Sequence, residues 1–100
     1  MLILFELNEF ALYTLNNELL ESNRNSIDEK CDSKNIELLP TIISLLGSVA
    51  DENRVGDIIL TWNPNVIYHA AALKHVPIVE QNIAECVKTN VIGTLVLAKA

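Results

Sequence analysis

Hydrophobic spacing along this chain switches between two periods. Leu2, Ile3, Leu4 and Phe5 form a continuous apolar run, which suits a strand covered on both faces as in a parallel sheet. Asn8 offers a helix N-cap and Glu9 a carboxylate in the first turn. Phe10, Leu12, Tyr13, Leu15, Leu19 and Leu20 then follow at roughly helical spacing, which predicts a helix over 8–22. Residues 22–35 are polar and aperiodic and read as a loop. A second strand falls within 38–46, where Pro40 cannot donate to a ladder. Gly47 and Ser48 turn the chain. Asp51 can cap a helix running to Trp62, with Val55, Ile58, Ile59 and Trp62 on one face. Gly56 weakens that helix by about 1 kcal/mol relative to alanine, and Asn63-Pro64-Asn65 breaks it. Val66, Ile67 and Tyr68 predict a third strand ending at His69, followed by a loop containing Pro77. A long helix is predicted from residue 83 to the end, with Ile83, Val87, Val91, Thr94 and Ala98 as its inner stripe.

Strand and helix alternate three times. That order predicts an α/β fold with a parallel sheet and helices on its faces, and right-handed crossovers make it doubly wound. The length of 100 residues allows one small domain with a thin core. No internal repeat or low-complexity segment interrupts it.

Composition narrows the function. Half the residues are apolar and the net charge is −6, with no cluster of basic residues; Lys30 and Lys34 sit in the polar loop. Nucleic acid is therefore not an expected partner, because phosphate binding needs a basic face. Cys31 and Cys86 fit no metal or CxxC spacing and read as free thiols in a reducing compartment, here the cytoplasm. The apolar N-terminus is too short for a membrane span, and no basic residue precedes it as in a signal peptide. No set of histidines with carboxylates has metal-ligand spacing. A start on a buried strand and an end inside a helical pattern predict a truncated domain.

Four places can carry chemistry. Glu6 lies at the carboxyl end of the first strand, where parallel sheets bind ligands; it can accept hydrogen bonds from both adenosine ribose hydroxyls, or it is a solvent-facing glutamate. The turn at Gly47, Ser48 and Val49 lets backbone approach a flat ring, or it is only a tight connection. In His69-Ala70-Ala71-Ala72-Leu73-Lys74-His75-Val76-Pro77, three alanines leave room for a ligand along the backbone. Lys74 can pair with an anionic diphosphate. His75 positions a ligand or is structural, and His69 reads as structural. Asn90, on the long helix behind the third strand, either ties that helix to the site's backbone or is ordinary packing, and Gly93 allows close packing of the helix on the sheet.

Together these residues resemble one family. The run from Val66 through Glu80, continued by Glu85-Cys86-Val87-Lys88-Thr89-Asn90-Val91-Ile92-Gly93-Thr94, is similar to CapD-type polysaccharide biosynthesis proteins of the extended short-chain dehydrogenase/reductase type. These are nucleotide-sugar 4,6-dehydratases and epimerases acting on UDP-N-acetylglucosamine. Residues 4–13, Leu46-Gly47-Ser48-Val49 and Trp62 resemble the larger, membrane-anchored branch. The resemblance covers nearly the whole chain except about 23–37. It implies Glu6 and Asn8 near the adenosine ribose, Ser48 and Val49 flanking adenine, and Ala70 and Ala71 along the dinucleotide. It also implies Lys74 facing the active site, near substrate or the nicotinamide ribose, and Asn90 with Thr94 supporting the cofactor-side backbone; His75 beside Lys74 is the second substrate-binding candidate. The cofactor would be NAD or NADP, with Glu6 favouring NAD. The parent would work in the cytoplasm or at the cytoplasmic face of the inner membrane.

The chain also departs from that family. Its only glycines are 47, 56 and 93, so the glycine-rich phosphate loop is missing. No YxxxK element is present either, since Ala72 follows Tyr68 and Asn17 follows Tyr13 at the fourth place. The expectation is a partial Rossmann-like domain over 1–100 that lacks the first strand, has no catalytic residue of its own, binds no cofactor and associates into homo-oligomers. The alternatives are a non-catalytic Rossmann-like oligomerisation module and a nucleotide-sensing domain.

Overall fold

The computed structural model describes residues 1–28, with side chains to residue 25, and residues 40–100. The chain divides into two units, Met1–Leu46 and Gly47–Ala100.

The first unit is a strand, a helix and a strand. β1 (Leu2–Glu6) and β2 (Ile42–Leu46) pair in parallel, with Leu2 opposite Ile42 and Glu6 opposite Leu46. Parallel neighbours need a crossover, and α1 (Glu9–Asp28) supplies it and packs on both strands. Asn8 caps α1 as its sequence suggests, its Oδ1 accepting from the Ala11 N–H at 3.0 Å. Among the described side chains of α1, Leu12 is the buried one, at 6% exposure. One turn on, Asn16 Oδ1 accepts from the Ser44 hydroxyl at 3.2 Å and fastens the helix to β2. The helix continues to Asp28 instead of stopping at 22. Residues 22–28 lose apolar periodicity but contain no glycine or proline, so nothing in them breaks a helix. The rest of the expected loop, with Lys30, Cys31 and Lys34, lies outside the described residues.

The second unit opens with a turn in which Asp51 N–H donates to Ser48 O at 3.0 Å. α2 (Glu52–Trp62) follows, capped by Asp51, whose Oδ1 accepts from Arg54 N–H at 3.0 Å. It ends at Asn63, in the left-handed region with φ 42° and ψ 59°, the one positive-φ residue among those described. Asparagine tolerates that conformation at a helix C-cap.

Two expectations fail beyond this point. Val66, Ile67 and Tyr68 form no ladder, and the sheet of the described residues has two strands, not three. An apolar run reports burial, whereas a strand needs a paired neighbour; these three side chains are 65%, 48% and 93% exposed. Pro77 does not sit in a loop but near the start of a short helix, α3 (Val76–Gln81). Proline is favourable there, because the first helical N–H groups have no partner within the helix.

The last helical run covers 83–99 without a break: α4 (Ile83–Val87), a π-turn (Lys88–Ile92) and α5 (Gly93–Lys99). Its inner face is not the predicted one. Ile83, Val87 and Val91 are 65%, 47% and 59% exposed. Gly93 and Val96 are buried, and Cys86, Thr89, Asn90 and Leu97 are half-buried on the same side. Gly93 decides this phase, because its missing side chain lets Val49 pack against the helix backbone. With Gly93, the buried residues of this unit are the apolar Val49, Val55, Ile58 and Val96, and α2 packs against α5.

Candidate functional site

Glu6 and Asn8 belong to the first unit. Glu6 ends β1, and its Oε1 accepts from the N–H groups of Leu7 at 2.9 Å and Asn8 at 3.0 Å. That fixes the carboxylate at the strand tip, half-buried, with Oε2 left over for other donors. Asn8 is occupied as the α1 cap.

The other candidates belong to the second unit. Ser48 is half-buried and shapes its own turn, its hydroxyl oxygen accepting from Ala50 N–H at 3.2 Å. Val49 is buried against Gly93. Ser48, Ala50, Asp51 and Glu52 line a shallow, open depression with Lys88 from the π-turn. Lys88 is a polar neighbour of Ser48 that the sequence pattern does not single out.

The best-built part of this unit is the segment over 69–75. Ala70 is exposed and Ala71 half-buried, so the small side chains leave backbone accessible. Asn90 grips the end of this segment. Its Oδ1 accepts from Leu73 N–H at 2.8 Å, and its Nδ2 donates to Leu73 O at 2.9 Å. The second Nδ2 hydrogen reaches Cys86 Sγ at 3.2 Å. A primary amide has an oxygen that can accept twice and two N–H donors, so Asn90 uses both donors and one of its two acceptor sites. Its side chain imitates a neighbouring strand, meeting N–H and C=O of one residue on one side. Lys74 and His75 follow directly, both exposed. His75 starts α3, with its carbonyl accepting from the N–H groups of Ile78 and Val79, each at 3.0 Å. Its imidazole makes no capping bond.

His69 is fixed from the same helix, its Nε2 lying 2.9 Å from Thr94 Oγ1. Cys86, Asn90 and Thr94 are spaced by four, a polar ridge whose pattern is visible in the sequence but whose target, the backbone of Leu73, is not. Among the described residues no cluster of histidine, cysteine and carboxylates could hold a metal ion, and no helix is long and apolar enough to cross a membrane.

Three comparisons bear on this geometry. The sequence model of the family described as "Polysaccharide biosynthesis protein" matches residues 1–100. The capsular polysaccharide biosynthesis protein CapD of Staphylococcus aureus is 30% identical over 99 residues, which are 99% of this chain and 14% of CapD. A UDP-N-acetylglucosamine 4,6-dehydratase (inverting) of Campylobacter jejuni is 42% identical over 48 residues, 48% of this chain and 14% of that enzyme. Among solved structures, Pen from Bacillus thuringiensis superposes with a TM-score of 0.64 at 27% identity, covering 97% of this chain and 24% of Pen. The chain thus spans a small part of the length of the proteins it matches. With the parallel strand–helix–strand unit, the structural match shows a partial Rossmann-like α/β fold.

Proposed function

This chain belongs to the polysaccharide biosynthesis protein family, and from that premise we propose that it is part of a nucleotide-sugar 4,6-dehydratase or epimerase acting on UDP-N-acetylglucosamine with NAD(P). The observation that carries the reading is the grip of Asn90 on Leu73. It holds a row of small residues open and ends them on Lys74, a cation suited to a sugar-nucleotide diphosphate.

Taken unit by unit, the residue types would suit separate parts of a dinucleotide. Glu6 has a carboxylate oxygen to spare for ribose hydroxyls and would repel a 2′-phosphate, which favours NAD over NADP. Ser48 and Val49 would stand by adenine, and Ala70 and Ala71 along the dinucleotide. No glycine-rich loop is present to cradle its phosphates. A bound nicotinamide supplies the hydride acceptor when the sugar C4 hydroxyl is oxidised, ahead of loss of water across C5 and C6. In this chain Lys74 and His75 would bind and orient the sugar nucleotide, and Asn90 would keep their backbone in place. The complete enzyme would work in the cytoplasm or on the cytoplasmic face of a membrane.

The test is the complete gene product incubated with UDP-N-acetylglucosamine. A product lighter by one water, formed without net use of added NAD+, supports the reading. Unchanged UDP-N-acetylglucosamine, with no heat of binding for NAD+, NADP+ or UDP-sugars, refutes it. One observation favours a second role beside this one: Ile83, Val87, Val91 and Leu95 form an exposed apolar ridge on the last helix, which suits association between copies of the chain.

A further inference from the structure

We propose that His69 and Thr94 are positioning residues for the ligand of the alanine segment, with His69 locked as its Nε2–H tautomer. The identity of that ligand rests on the nucleotide-sugar reading, while the lock rests on hydrogen-bond geometry alone.

The backbone over 69–73 is attached to one helix at both ends. Asn90 holds the far end through Leu73. At the near end the Thr94 hydroxyl has two neighbours, the Asn90 carbonyl oxygen at 2.7 Å and His69 Nε2 at 2.9 Å. A hydroxyl carries one proton, and a carbonyl can only accept. The Thr94 proton therefore goes to Asn90 O, and the Thr94 oxygen accepts from His69. His69 must hold a proton on Nε2, which leaves Nδ1 of the neutral ring as an acceptor turned away from the helix bond. No hydrogen bond to Nδ1 is made by any described residue.

Between the two anchors stand Ala70, Ala71 and Ala72, whose methyl groups form no hydrogen bonds. The course of this backbone is consequently set by Asn90 and Thr94, four residues apart. The two anchors divide the work: Asn90 fixes the peptide next to Lys74, and Thr94 fixes the start of the alanine row. Loss of the Thr94 hydroxyl should loosen contacts along the alanines and leave Lys74 in place.

Two measurements test this. In this chain, long-range 15N–1H correlation of the imidazoles should place the His69 proton on Nε2, and Thr94→Val should abolish that preference. In the complete gene product, Thr94→Val should weaken NAD+ binding about tenfold and shift the KM for UDP-N-acetylglucosamine by less than about twofold, with Thr94→Ser restoring both to wild type. An Nδ1–H tautomer, wild-type NAD+ affinity in Thr94→Val, or no rescue by Thr94→Ser overturns the proposal. A wild-type protein that binds neither NAD+ nor UDP-sugars overturns the nucleotide-sugar reading instead, and the imidazole spectrum then decides the lock by itself.

Discussion

The same substitution should have opposite signs at two helical glycines. Gly56 lies in α2, and a Cβ built there meets nothing within 4 Å. Gly56→Ala should therefore gain helix propensity and stabilise the chain by about 0.5–1 kcal/mol. Gly93 has ordinary helical angles, φ −58° and ψ −41°, so alanine suits its backbone equally well. Its Cβ would, however, lie 2.6 Å from Val49 Cγ2 and 3.4 Å from both Val49 Cβ and Val49 C. The clash is with the Cγ2 methyl alone, since 3.4 Å is an ordinary contact, and a buried β-branched side chain has few rotamers by which to turn that methyl away. Overpacking of this kind costs about 1–3 kcal/mol, against about 1 kcal/mol of propensity gained. Gly93→Ala should thus destabilise by up to about 2 kcal/mol. Urea unfolding followed by circular dichroism reads both variants. A Val49→Ala background removes the clashing methyl and should turn Gly93→Ala from destabilising to neutral or better. If Gly93→Ala raises the midpoint as Gly56→Ala does, Val49 does not set the phase of the last helix.

Other substitutions probe single contacts. Asp51→Ala should cost about 1 kcal/mol by leaving the Arg54 N–H uncapped, read as a lower urea midpoint, and Asp51→Asn should recover most of it. Asn90→Ala should cost about 1–2 kcal/mol and raise hydrogen exchange at the Leu73 amide; Asn90→Asp keeps the acceptor for that N–H but cannot donate to Leu73 O, so it should restore only part of the protection and of the stability. Val87→Lys with Val91→Lys should abolish association seen by sedimentation, if the exposed ridge is what brings copies together.

The sequence makes the local chemistry of this chain legible and the tertiary pairing less so. The apolar run at 2–5, the caps at Asn8 and Asp51 and the breaker at Asn63 each act through neighbours in the chain, and each appears in the structure as expected. The failures concern partners distant in sequence. Val66, Ile67 and Tyr68 look like a strand because strand composition says nothing about which edge will pair. The inner stripe of the last helix differs from the one its apolar spacing predicts, because the two decisive features have no apolar periodicity. One is a glycine that packs by what it lacks, and the other a π-turn that shifts the phase. Pro77 was legible in principle, since proline near a helix start is favourable. At the candidate site, Asn90 stands out in the sequence, but its bonds to Leu73 and the link from Thr94 to His69 join residues 17 and 25 positions apart, which no local pattern encodes.

The way this site is held has a consequence for how it fails. In an extended segment within a sheet, each residue shares its place with a ladder of backbone bonds, and no single side chain is decisive. The segment over 69–73 has no ladder among the described residues. Its course depends on two side chains, Asn90 and Thr94, that reach it from one helix. Side-chain bonds at exposed positions each contribute only about 1 kcal/mol, so a single substitution can release one end without unfolding the unit. The alanines make that release informative, because their methyl groups form no hydrogen bonds and Ala70 and Ala72 are exposed. Loss of ligand affinity with retained helix content is therefore the expected phenotype at Thr94, whereas a ladder-held segment would lose both together.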